Sequence, residues 1–253
     1  MLKNIFAPWS LVIYLSLLAT YTFAEDTKPA PVLYFDLGQK DGWVPFRKAA
    51  RTGALSVLKE LSMALEAHSG VQFLTVNFPQ KRAEKALLDG ILDFDFLCLE
   101  WLPDNEPGEG FVATDSFFEI SMHLVTLKPN THLFPTPESM FNKHVGTIGG
   151  YFYVNDDKFT RVDFLNENLQ MLGLKRGRFK AIIAEKESAK YWAKLNNIEI
   201  GFAALLSKGK LVMRLRKEHS ALLPTLNKAI KELKDSGKLQ AILNSHGVES
   251  EIF

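Results

Sequence analysis

The sequence is nearly empty of the residues that build disulfide scaffolds and metal clusters. Cys98 is the only cysteine, so no intramolecular disulfide can form, and its place in the apolar run DFLCLEW (95–101) marks a buried structural thiol. The six histidines, His68, His123, His132, His144, His219 and His246, fall at no H-E-x-x-H spacing and beside no CxxC pair, which leaves no zinc signature. No serine stands in a G-x-S-x-G elbow. Excess charge is missing too: 30 Lys and Arg face 29 Asp and Glu, so the chain carries no electrostatic footprint for nucleic acid or a lipid surface. No repeat of fixed period and no low-complexity tract interrupts it. These absences predict a protein without metal or cofactor and argue against an enzyme.

What is present begins with MLKNIFAPWSLVIYLSLLATYTFA (1–24), which sets Lys3 before an apolar run from Ile5 to Ala19 and ends in Thr22-Phe23-Ala24. That order of parts is expected of a secretory signal peptide cut after Ala24. A retained anchor is the other reading, disfavoured because Pro8 and Ser10 break a run already shorter than the ~20 residues a span needs. Without this segment the charges balance at 29 against 29, and the remaining chain is long enough for two lobes or one domain.

Hydrophobic period then alternates along the chain. PVLYFDL (31–37) has the β-branched and aromatic content of a strand, and Leu55, Leu58, Leu61 and Leu65 recur at helical spacing before a Gly70 stop. QFLTVNF is the next strand, 81–88 the next helix, and DFDFLCLEW the third strand. After a Pro, Gly and acid-rich loop at PDNEPGEG come strand ISMHLVTL, helix 137–143, strands HVGTI and RVDF, helix 167–172, strand FKAIIAE and helix 188–195. Strand LVMRLRK and helices over about 220–235 and 238–245 end the chain. Such βα alternation predicts an α/β protein with mainly parallel sheets flanked by helices.

The stretch HVGTIGGYFYV (144–154) lacks the Lys and hydroxyl of a phosphate loop and the glycine order of a dinucleotide turn. Either Gly149 and Gly150 let backbone N–H groups approach an anionic ligand at a helix start, with Tyr151 and Tyr153 adding hydroxyls and ring faces, or they only permit a tightly packed turn.

The order of these segments resembles the bacterial family-3 solute-binding proteins, the polar amino-acid type that serves ABC importers. The likeness spans about residues 31–247 and rests on WVPF (43–46), LLDGILDFDF (87–96), ATDSFF (113–118), HVGTIGGYFY (144–153), GRFKAIIAE (177–185) and LPTLNKAIKELKDSGKLQAILNSHG (223–247). The resemblance implies a type II, two-lobed periplasmic-binding-protein-like fold with two hinge crossings, here near His123–Lys128 and Leu211–Lys217. It implies a first lobe of 25–126 plus 213–253 and a second of 127–212. It further implies a periplasmic monomer that takes a small-molecule ligand, amino-acid-like or amine-bearing, for an ABC permease. A membrane sensor is the alternative partner, and a dehydratase-like enzyme on the same fold a more remote one.

Ligands of open α/β sheets bind beyond the carboxyl ends of the strands. That rule nominates Asp36, Trp43, Asn77, Arg82, Glu100 and Trp101 in the first half and Gly149, Gly150, Tyr151, Tyr153 and Glu185 in the second. Trp43 and Trp101 suit either stacking on a ligand or packing in the interior. The family's carboxylate-clamping Arg has Pro107 in its place here, with Glu106 before it; Arg82 is either a substitute or a solvent-facing helix residue. Glu185 falls where the resemblance places an acid that pairs with a ligand amine, and a solvated strand end is the other reading.

Overall fold

In the computed structural model of the protein, residues 29–38, 42–48 and 53–253 are described; the expected signal segment, 1–24, lies outside them. Alternation shapes the first strand, β1 (Val32–Asp36), in which Leu33 and Phe35 are buried while Val32 and Tyr34 face outward. Helix α1 (Val57–Ser69) starts where the Ser56 hydroxyl accepts from Lys59 N at 3.3 Å, and it ends at Gly70, whose φ of 69° the cap requires. Its Leu58, Leu61 and Leu65 are fully buried. β2 (Gln72–Val76), α2 (Gln80–Leu88), β3 (Phe94–Cys98), the short β4 (Phe111–Ala113) and β5 (Glu119–Leu127) follow. Then come β6 (His144–Ile148), β7 (Thr160–Phe164), α3 (Glu167–Lys175), β8 (Ala181–Glu185) and α4 (Lys186–Leu195). The 17-residue β9 (Ile200–Arg216), α5 (Leu223–Asp235) and α6 (Lys238–Ser245) complete the chain.

The strands run in the order β2-β1-β3-β9-β5-β8-β6-β7, with β4 also on β9. β2, β1 and β3 are parallel, as are β7, β6 and β8, and the antiparallel strands β5 and β9 join the two groups. Each group has its own interior. Phe35, Phe73, Phe94 and Phe96 pack under α1, α5 and α6, whereas Val125 and Ile182 share a cluster with Met171 of α3 and Trp192 of α4.

β9 changes partner from β5 to β3 between Lys210 and Leu211, where Phe117 N donates to Leu211 O and Leu211 N to Phe118 O. The change of strand partners thus falls at 117–119 and 209–211. Three local expectations change. The helix expected at 137–143 is a single 3-10 turn, Pro137–Met140, closed by Phe141 in an extended conformation and Asn142 at φ 57°. β9 begins eleven residues before LVMRLRK, and β4 was not anticipated. Residues 217–222 form a 3-10 segment before α5, whose first turn carries Pro224. Among the described residues no helix is long and apolar enough to cross a membrane.

Candidate functional site

A cleft of about 380 Å³ opens between the two strand groups. The turn after β1 contributes Trp43 and Arg47, held together by Arg47 N donating to Trp43 O at 2.8 Å. Trp101 and Leu102 come from the 3-10 turn that continues β3. The opposite wall is the segment after β6, Gly150 to Asn155, together with the starts of α3 and α4.

That segment is shaped by its own contacts. Gly150 adopts φ 97°, a conformation that side chains with a Cβ avoid. The Tyr153 hydroxyl accepts from Ile148 N at 2.9 Å, and Tyr151 donates its hydroxyl to Glu167 Oε1 at 3.0 Å. Arg161 braces the turn from behind: its guanidinium donates to Ile148 O and Tyr151 O, both at 3.2 Å, pairs with Asp156 and Asp163, and lies 5.0 Å from the Tyr153 ring centre. Burial pushes both tyrosine hydroxyls above their ordinary pKa.

Glu185 ends β8 and caps α4, its two carboxylate oxygens accepting from Glu187 N at 2.9 Å and Ser188 N at 2.8 Å. Burial pushes its pKa up to about 7, against the pull of those two N–H bonds and of the nearby Trp43 indole. Glu167 is raised in the same direction by burial, opposed by its own backbone N–H, the Tyr151 hydroxyl and Arg47.

At one end of the cleft Arg214, 4% exposed, grips Asp95 through Nε at 3.0 Å and Nη2 at 2.8 Å and reaches Glu84 at 3.0 Å. Burial works against the Arg214 charge, but Asp95 and Glu84 together raise its pKa. Arg47 pairs with Asp36 at 3.3 Å. Three polar atoms of cleft-lining residues, Trp43 Nε1, Trp101 Nε1 and Ser188 Oγ, are shut off from solvent and make no hydrogen bond of good geometry among the described residues, although the Trp43 indole is near enough to Glu185 to act on its carboxylate. The Trp43 and Trp101 rings meet edge to face with centres 6.0 Å apart.

Of the residues nominated from sequence, Trp43, Trp101, Gly150, Tyr151, Tyr153 and Glu185 line this cleft. The other five do not. Asp36 is buried behind the wall, accepting from Phe78 N at 2.8 Å as well as from Arg47, and Gly149 is buried with its N–H on Phe164 O. Asn77 and Arg82 are exposed away from it. Glu100 accepts from Lys210 N at 3.1 Å and so braces the crossing strand. The sequence reading missed Arg47, Asp95, Glu167, Ser188 and Arg214. Asp95 and Arg214 did leave a signal, since each is a charge inside an apolar strand and the β3–β9 register sets them directly opposite. Among the described residues one group, Asp93, Glu218 and His219, brings ligand-type atoms within 4.8 Å of one another. It does not line the cleft, and its members already bond to Tyr34 N, Arg216 and one another.

No protein-family model matches the chain, and no curated protein matches its sequence. Solved structures do. An ancestral arginine-binding protein bound to arginine superposes with a TM-score of 0.71 at 21% identity, over 87% of this chain and 100% of its own. The amino acid ABC transporter substrate-binding protein AbpA from Streptococcus pneumoniae, bound to L-arginine, gives 0.69 at 17% identity over 85% and 94%. Holo ArgBP from T. maritima gives 0.65 at 21% identity over 84% and 95%. The chain therefore has the type II, two-lobed periplasmic-binding-protein fold.

Proposed function

We propose that this protein is a periplasmic solute-binding protein that captures a small polar molecule in the inter-lobe cleft and presents its closed form to an ABC importer. One observation carries the reading: a single cleft of about 380 Å³ is lined from one side by Trp43, Arg47 and Trp101 and from the other by Tyr151, Glu185 and Ser188. The named relatives in the structural comparison bind arginine or serve amino-acid ABC transport, in keeping with this reading.

We place the first lobe at 29–118 and 211–253 and the second at 119–210, after the change of strand partners. Two antiparallel strands, β5 and β9, would then be the hinge, and bending there brings the lobes together on a guest. Trp192 Nε1 donates to Gly42 O at 3.1 Å and Val44 packs among the second lobe's apolar residues, so the turn after β1 is the natural closing contact. The protein acts as a monomer without cofactor or catalysis, and its ligand leaves unchanged.

The test is a thermal-shift screen against amino acids, polyamines, organic acids and neutral heterocycles, followed by solution scattering. A ligand at 100 times its Kd adds ~2.7 kcal/mol to stability. A stoichiometric binder that also lowers the radius of gyration supports capture and closure. Turnover of the ligand would contradict it.

A further inference from the structure

β5 and β9 run side by side between the two strand groups as a ribbon with two faces. Met122 and Ser207, opposite each other in the pairing, line the cleft. The pairs on either side of them, Ser121 with Lys208 and His123 with Leu205, line a second space of about 260 Å³ behind the ribbon. Bending the ribbon toward the cleft closes the lobes and widens this rear space. Bending it the other way opens the cleft and narrows the rear space.

One wall of the rear space is the segment that follows α6, which contributes Val248, Glu249, Ser250 and Glu251. Val248 is buried in the interior under α1, α5 and α6, and Ile252 packs against the same cluster, so the segment is fixed to the first strand group. Between those two anchors Glu251 O accepts from Glu119 N at 2.9 Å and the Ser250 hydroxyl donates to Glu119 O. Lys210 Nζ stands 4.0 Å from the centre of the Phe253 ring. Glu119 is the first residue of β5 and Lys210 its partner on β9, so the segment lies across the root of the ribbon. The rear space is also lined by His123, Leu205 and the first residues of α4, Lys186 and Glu187.

Resting on the hinge reading above, we infer that residues 249–253 are a stop behind the hinge, carried by the first lobe, against which His123, Leu205 and the start of α4 run when the cleft opens. Packed chain does not interpenetrate, so the rear space is the travel left to the hinge before contact. A limited opening keeps the two cleft walls near each other and raises the share of molecules competent to close on a guest.

Solution scattering of the unliganded protein tests this without a ligand. Deletion of 249–253 is expected to raise the radius of gyration although mass is lost. Glu249→Trp, which sets a bulky ring on the wall of the rear space, is expected to lower it. Far-UV circular dichroism at wild-type strength establishes that a variant is folded, and Glu249→Trp decides the matter if the deletion does not fold. A folded deletion variant no larger than wild type, or a Glu249→Trp protein no more compact, overturns the inference. Trp192→Phe, which removes the donor to Gly42 O and leaves the stop intact, separates the two ways of failing. If it enlarges the protein while neither tail variant changes the radius, the hinge bends without a stop and solute capture stands. If none of the three changes the radius, the hinge reading falls together with the inference.

Discussion

Gly209 passes directly against Cys98: a Cβ on Gly209 would stand 2.6 Å from the Cys98 Cβ and 2.8 Å from Glu100 Oε2. The contact sits where β9 leaves β5 for β3, so the crossing depends on a residue with no side chain. Gly209→Ala must push β9 off the end of β3 or displace Glu100 from Lys210 N, at a cost of about 1–3 kcal/mol. Urea unfolding should show the loss, and the buried Cys98 should become measurably more reactive to a thiol reagent.

Arg214 supplies the second prediction. At 4% exposure it holds Asp95 and Glu84 at the end of the cleft, and its removal leaves the half-buried Asp95 carboxylate uncompensated. Arg214→Leu should lower stability by about 3–5 kcal/mol. The double variant Arg214→Leu/Asp95→Leu should recover much of that, because the pair is then replaced by apolar packing. A double-mutant cycle in urea checks both statements, and a purely additive result would dissolve the claimed coupling.

These two sites mark how much of the molecule could be read in advance. The alternation of Leu33 and Phe35 and the spacing of Leu58, Leu61 and Leu65 are local signals, and β1 and α1 follow from them. Residues 200–210 carry no clean alternation, because β9 faces β5, a bulged register and the cleft in turn, and only its LVMRLRK end looked like a strand. PESMFNK had helical composition, yet Asn142 turns left-handed and ends it after one turn. At the cleft, residues beside motif glycines and strand ends were visible. Arg47 and Ser188 were not, since neither residue differs in sequence from an ordinary surface position, and only the docking of the two lobes makes them face one space.

Glu185 makes stability depend on pH. Its pKa lies at about 7 in the folded protein against an ordinary 4.5, so between those values the native state holds more protons than the unfolded chain. Stability therefore falls as pH rises from about 4.5 to 7 and is level beyond. At ~1.4 kcal/mol per unit the slope amounts to about 2–3 kcal/mol over the window. Glu167 contributes in the same direction, so the comparison of wild type with Glu185→Gln isolates this one group. The variant should lose stability less steeply than wild type between pH 5 and 7, measured as urea midpoints at unit intervals. Parallel profiles would show that Glu185 does not titrate there.

Closure itself can be weighed through Trp192. Its indole N–H reaches from α4 to Gly42 O in the turn after β1, and on the proposed lobe division that bond exists only while the lobes are together. Trp192→Phe removes that donor and keeps an aromatic ring in the packing around Ala189 and Met171. A hydrogen bond of this type contributes about 1 kcal/mol, which shifts an open–closed equilibrium roughly fivefold toward the open form. If, as proposed, a ligand binds the closed form, its Kd should weaken by a similar factor while each lobe's own unfolding is little changed. Scattering of the unliganded variant should give a larger radius of gyration than wild type. An unchanged radius together with an unchanged Kd would mean that this bond does not hold the lobes closed.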